Sequence, residues 1–103
     1  MRGAILVLCF REPNVLRAAL PVYRAADLDV FLHVDAKLDQ AAYLRALGPP
    51  AADCRLVEDR QTVFWGGFSM IRAEMALLRD ALQRDAYDSF TLVSDDSFPW
   101  LTA

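Results

Sequence analysis

Histidine, cysteine and glycine are scarce in this chain, with one, two and four residues respectively. A single histidine, His33, has no second imidazole with which to share a zinc ion. Cys9 and Cys54 supply neither a disulfide framework nor the paired spacing of a zinc site. Both fall in apolar, strand-like segments and are expected to be free buried thiols of a reducing compartment. The glycines form no G-x-G-x-x-G fingerprint and no P-loop. Basic runs are also missing. Arg2, Arg11, Arg17, Arg24, Lys37 and Arg45 are scattered, and the net charge is −3. That balance argues against a nucleic-acid binder and against polybasic attachment to a membrane. The apolar run from Gly3 to Phe10 is too short to span a bilayer. Arg11-Glu12-Pro13 closes it with no small-residue cleavage site, so it reads as a strand and not as a signal peptide. A cytoplasmic location is the expectation.

What is present is apolar residues in quantity, 55% of 103, against 24% charged. That composition is globular and of a size for one domain with a modest core. The apolar segments alternate between two periods. Residues 3–10 are continuously apolar, as a strand buried on both faces should be. Val15, Leu16, Ala19, Leu20 and Tyr23 recur at helical spacing over about 13–25, with Pro13 suited to the first turn and Pro21 expected to kink or shorten the helix. Residues 28–35 form a second strand. A short helix over about 39–47 runs into the breaker Gly48-Pro49-Pro50. Residues 54–57 make a third strand, and 61–65 another brief extended piece. A long helix starts near Ser69, with Phe68, Ile71, Met75, Leu78 and Leu82 as its apolar stripe and Arg72, Glu74, Arg79, Asp80, Gln83 and Arg84 mostly opposite. Residues 89–94 form the last strand. Strands alternating with helices predict an α/β fold with a mostly parallel sheet and helices on its faces.

In such a sheet the carboxyl ends of the strands share one edge, where ligands bind. The polar interruptions of this chain fall there: Arg11 and Glu12, then Asp35 and Lys37, then Asp95 and Asp96. In His33-Val34-Asp35-Ala36-Lys37, His33 and Asp35 face one side of the sheet and Leu32 and Val34 the other. Asp35 suits hydrogen bonds to a ribose or a base, and equally the capping of a turn. His33 reads as a packed, hydrogen-bonded strand residue. Trp65-Gly66-Gly67 precedes a helix, where glycines permit positive φ and close approach of a ligand, and where the helix start offers unpaired N–H groups to phosphate. A plain strand-to-helix turn is the competing reading. Asp95 and Asp96 follow the last strand and bind a divalent cation only if the chain turns there, since neighbours on a strand diverge. The competing reading is a turn in which Asp96 or Ser97 caps backbone N–H groups. No nucleophile–base pair stands out. A receiver-type domain would need an acidic pair after the first strand, and Arg11-Glu12 does not supply one.

Taken in order, the segments resemble the core-2/I-branching β-1,6-N-acetylglucosaminyltransferase and peptide O-xylosyltransferase family. His33–Lys37 is similar to its HVD-x-K segment, Arg60–Ser69 to its R-x-x-V-x-W-G-G-x-S segment, and Tyr87–Phe90 with Ser94–Pro99 to its YDYF…LSGxDxP segment. Asp95 stands where Gly is usual and Ser97 where Asp is usual, which leaves the donor open. The resemblance implies a GT-A-type, Rossmann-like sheet and an inverting transfer from a UDP-sugar, of the GlcNAc or xylose type, to a carbohydrate or protein hydroxyl. It implies a nucleotide-sugar site made of Phe10, Asp35, Trp65, Gly66, Asp95 and Asp96. No cofactor is expected, although the Asp95-Asp96 pair keeps a divalent metal in view. The family's catalytic base lies beyond the last strand seen here. Residues 1–103 are therefore expected to be an amino-terminal, nucleotide-sugar-binding part of an incomplete GT-A domain, with the catalytic residues unknown. The alternative is a non-catalytic α/β fragment that binds a nucleotide or a partner.

Overall fold

The computed structural model describes residues 2–64 and 67–96. Strand β1 (Gly3–Cys9), helix α1 (Asn14–Ala25), strand β2 (Leu28–Val34), helix α2 (Gln40–Leu47), a 3-10 turn (Pro49–Ala51), strand β3 (Arg55–Leu56), helix α3 (Phe68–Arg84) and strand β4 (Ser89–Ser94) follow in sequence. The strands form one sheet in the order β3-β2-β1-β4, and every pairing is parallel. This is the expected α/β, Rossmann-like arrangement.

The order carries the functional geometry. The chain first moves outward, β1 to β2 to β3, and then returns past β1 to place β4 on its other side. Right-handed crossovers require the helices of the outward and return legs to lie on opposite faces. They do. Ile5, Val7, Cys9, Val30, Leu32 and Val34 pack with Leu16, Leu20 and Tyr23 of α1 and Tyr43 and Leu47 of α2. Ala4, Leu6, Leu8 and Phe31 pack with Ala73, Ala76, Leu77 and Ala81 of α3. All seven residues of β1 are buried, which explains its unbroken apolar run. Gly3 makes room where β1 enters the sheet: a Cβ there would meet Leu28 Cδ2 at 2.6 Å, and the leucine side chain would have to turn aside.

Three expectations change. Helix α1 does not stop at Pro21 but continues to Ala25. Pro21 and Arg17 are both exposed, so the Arg17 carbonyl that loses its helical partner faces water. Residues 61–64 join no sheet; their backbone is held instead by side chains from the end of β2, as described below. Of the stripe assigned to α3, only Leu78 packs against the core; the other four residues are exposed. Phe68, Ile71, Met75 and Leu82 are 79%, 53%, 50% and 61% exposed, while Ala73, Ala76, Leu77 and Ala81 are buried. Three alanines and one leucine let α3 lie close on β1 and β2, where bulkier residues would hold it off.

Helix α2 is capped as its sequence suggests: the Asp39 side chain accepts the Ala42 N–H at 3.1 Å, meeting one of the unpaired donors of the first turn. It ends at Gly48, whose φ of 72° is the left-handed conformation that glycine takes without strain. Cys9 and Cys54 are free thiols, the first buried and the second half-buried. Burial raises both pKa values, that of Cys54 to about 11, so neither is a reactive thiolate.

Candidate functional site

The strand order reverses between β1 and β4, and the loops at their carboxyl ends must part there. Phe10 and Arg11 leave β1 at this point, Asp35 ends β2, and Asp95 ends β4. The ladder runs one residue past the strands on both sides of β1, with Asp35 N–H donating to Cys9 O at 2.8 Å and Asp95 N–H to Leu8 O at 2.9 Å. Beside this point, at the carboxyl ends of β1 and β2, a cleft of about 330 Å³ opens, lined by Phe10, Arg11, Asp35, Lys37, Val63, Phe64 and Met70. This is the size and mixed character of a small-molecule site. A larger hollow of about 1010 Å³ lies along β3 and brings together Asp29, Asp53, Arg55, Glu58, Arg60 and Arg84. It sits on the outer edge of the sheet, and neither Phe10 nor Asp35 lines it.

Asp35 builds one wall. It is 1% exposed, and its Oδ1 accepts the N–H of Lys37 at 2.9 Å and of Val63 at 3.3 Å. Its Oδ2 lies 3.5 Å from Lys37 Nζ. A buried carboxylate needs such donors, and satisfying them pins residues 35–37 to Val63. The turn-capping role of Asp35 is thus observed, on the cleft wall. Lys37 Nζ also donates to Val63 O and stands 4.5 Å from the Phe64 ring centroid. Arg60 completes the wall from behind. Its Nε donates to Val34 O at 2.8 Å, and its terminal nitrogen donates to Asp35 O at 2.9 Å and Leu38 O at 2.7 Å.

His33 is fully buried and accepts the Gln61 N–H at Nε2, 2.8 Å away. The proton therefore resides on Nδ1, which has no hydrogen-bond partner among the described residues. Burial holds its pKa below the ordinary value, and the ring is neutral. His33 is the packed, hydrogen-bonded strand residue expected, anchoring residues 61–64 rather than facing the cleft.

Phe10 and Arg11 form the opposite wall, with the Arg11 guanidinium carbon 5.4 Å from the Phe10 ring centroid. Asp95 lies behind them and is not among the residues that line the cleft. It is 0% exposed. Its Oδ2 accepts the N–H of Phe10 at 3.0 Å, the N–H of Arg11 at 2.9 Å and the Tyr43 hydroxyl at 2.9 Å. Burial raises the Asp95 pKa, against the opposing effect of those three donors. Burial also raises that of Tyr43, with the neighbouring Cys9 and Asp95 adding to it. Asp96 is exposed; it accepts from the Ser94 hydroxyl and lies 3.8 Å from Arg11 Nε. The two carboxylates therefore diverge, as neighbours at a strand end do. Among the described residues no group of three or more His, Cys, Asp or Glu side chains could hold a metal ion.

Trp65 and Gly66 lie outside the described residues, as do residues 97–99 of the last motif. Their neighbours are informative. Phe64 lines the cleft. The Ser69 hydroxyl accepts the Phe64 N–H at 2.8 Å and donates to Phe64 O at 3.3 Å, so the first turn of α3 grips the residue that leads into Trp65. Gly67 is the N-cap of α3 with φ −114°; its backbone is extended and calls for no left-handed conformation.

Of the residues singled out in the sequence, Phe10 and Asp35 meet at the cleft, Asp95 supports it from behind, and Asp96 sits outside it. The Tyr87–Phe90 segment lies at the other end of the sheet, where Tyr87 packs edge-on against Phe31 and Phe90 at 5.8 and 5.9 Å. Lys37 and Arg11 belong to the site and stood in view three residues or fewer from the strand ends. Tyr43, which reaches Asp95 across 52 positions, left no signal in sequence.

Among the described residues no helix is long and apolar enough to cross a membrane. No curated protein matches the chain. The family model of the Core-2/I-Branching enzymes matches residues 23–103, which takes in β2, its Asp35 turn, α3 and β4. The chain belongs to the Core-2/I-branching enzyme family, a family of glycosyltransferases.

Proposed function

We propose that the cleft between Phe10–Arg11 and Asp35–Lys37 receives the nucleoside diphosphate of a UDP-sugar. In this reading the sugar, of the GlcNAc or xylose type, passes with inversion to a hydroxyl of a carbohydrate or protein acceptor. The observation that carries it is the placement of a cleft of about 330 Å³, with aromatic and basic walls, at the carboxyl ends of the parallel strands β1 and β2 in a chain from a glycosyltransferase family. Phe10 and Phe64 offer ring faces to a base. Arg11 and Lys37 offer the positive charge that a diphosphate needs as it leaves. Trp65 and Gly66, next in the chain to Phe64, are assigned to the same pocket. Asp35 acts toward the uridine by holding Lys37 and Val63 in place.

In the transfer, the acceptor oxygen attacks the anomeric carbon, the bond from that carbon to the diphosphate breaks, and a base takes the hydroxyl proton. The base is not assigned to a residue. Calorimetric titration with UDP tests the donor site. Binding is expected, and Lys37→Ala should weaken it about tenfold, as removal of a charge-assisted contact does. A folded chain that takes up no UDP would refute the assignment. Release of UDP from UDP-N-acetylglucosamine or UDP-xylose in the presence of acceptor separates a transferase from a domain that only binds.

A further inference from the structure

We propose that Asp95 is a positioning residue of the cleft: it sets the Phe10–Arg11 wall through two backbone N–H groups and does not itself touch the ligand. The proposal rests on the donor-site assignment above and deepens it. Strand β1 ends at Cys9, so the N–H groups of Phe10 and Arg11 lose the ladder that would otherwise satisfy them. Buried or half-buried backbone donors must find other acceptors. Both find Asp95 Oδ2, at 3.0 and 2.9 Å. The acceptor is itself held. The Asp95 backbone N–H is bonded to Leu8 O at 2.9 Å, and the Tyr43 hydroxyl donates to the same oxygen from α2 at 2.9 Å. One carboxylate oxygen thus joins the ends of β1 and β4 to a helix on the far face. The side chain is 0% exposed, so a ligand in the cleft meets Phe10 and Arg11, not Asp95.

The consequence is specific. Two adjacent N–H groups at a strand end would suit a phosphate, but here they point inward to a carboxylate. The Phe10–Arg11 wall therefore meets the nucleotide with its side chains. Asp95 Oδ1 has no hydrogen-bond partner among the described residues, and both wall N–H groups go to Oδ2. An asparagine in this place retains that oxygen as a carbonyl and removes the charge.

This separates support from contact. UDP affinity is read by calorimetry, and the hydrogen-exchange rates of the Phe10 and Arg11 amides are read by NMR without ligand. Asp95→Asn is expected to keep UDP affinity within about threefold and to leave both amides protected, because the acceptor survives. Asp95→Ala is expected to weaken UDP about tenfold or more and to speed both amides about tenfold. Should Asp95→Ala fail to fold, Asp95→Asn and Tyr43→Phe decide the matter. Tyr43→Phe keeps both backbone bonds and should keep both amides protected. If Asp95→Asn abolishes UDP binding while its amides stay protected, the carboxylate contacts ligand and the proposal falls. It falls equally if Asp95→Asn exposes the amides, or if Asp95→Ala leaves them protected. If the wild-type chain does not bind UDP, the donor-site assignment fails, while the exchange rates still decide whether Asp95 holds this wall.

Discussion

The two ends of the sheet handle charge in opposite ways. At the carboxyl end, Asp35 and Asp95 are buried and take their donors mainly from the backbone, at Lys37, Val63, Phe10 and Arg11. At the amino end, Arg2 gathers Asp29 and Asp85 through its guanidinium and Asp88 through its backbone N–H at 2.7 Å. The Tyr87 hydroxyl donates to Asp29 at 2.7 Å, and Arg2 stacks 5.2 Å from the Tyr87 ring centroid. These ion-pairing groups are largely exposed. A carboxylate bonded to backbone N–H groups fixes the course of a loop, because the donors cannot rotate away. A carboxylate paired with an arginine at the surface ties two elements together loosely and is screened by salt. The first arrangement shapes a cleft; the second closes the fold at the end opposite the site.

That contrast can be broken most sharply at Asp35. Asp35→Ala orphans two N–H groups beside the cleft and should lower the free energy of unfolding by about 2–4 kcal/mol, read from urea midpoints. It should also abolish UDP binding in whatever fraction remains folded. A loss confined to stability, with UDP affinity intact, would put Asp35 on the same footing as the amino-end acids.

Acidification probes the carboxyl end through His33. Its folded pKa lies below the ordinary value, so the unfolded chain binds more protons once the pH falls below about 6.5. Stability should accordingly drop as pH falls through that point, by at most about 1.4 kcal/mol per unit. Asp95 works in the reverse sense. Its raised pKa means that it favours the folded state more as the pH falls toward its own titration. Comparing urea midpoints of the wild type and His33→Gln isolates the histidine, and a variant with an unchanged slope would assign the acid sensitivity elsewhere.

The amino end should respond less. Tyr87→Phe removes the bond to Asp29 and keeps the ring stack, for a cost of about 1 kcal/mol or less, with UDP affinity unchanged. Arg2→Ala should have the smallest effect, a shift in thermal midpoint that vanishes at high salt. If either variant weakens UDP binding, the two ends are coupled and the division drawn between them is wrong.

Much of the carboxyl end is legible in the sequence. Period-two alternation put His33 and Asp35 on one face, and they lie on the α3 face beside Phe31, with Leu32 and Val34 packed against α1 and α2. The alternation of strand and helix placed Arg11, Asp35 and Asp95 on one edge. Other features were hidden. Both faces of α3 carry apolar residues, and a pattern weighted by side-chain size selected Phe68, Ile71, Met75, Leu78 and Leu82, of which all but Leu78 lie where the sheet does not cover them. Packing chose the alanines because a helix over two neighbouring strands must come close. Tyr87–Phe90 stood beside Asp95 in sequence yet lies at the opposite end, since one strand length separates them.

The sequence by itself determined the order of elements, the parallel sheet, the family and the edge on which polar residues collect. These follow from periodicity, turn chemistry and motif, which are local in the chain. Only the tertiary structure decided which acids hold the backbone beside the cleft and which face water. Asp95 and Asp96 are neighbours of one residue type, and nothing local distinguishes them. Their roles differ because β4 places one against the ends of β1 and α2, where three donors await it, and turns the other toward water.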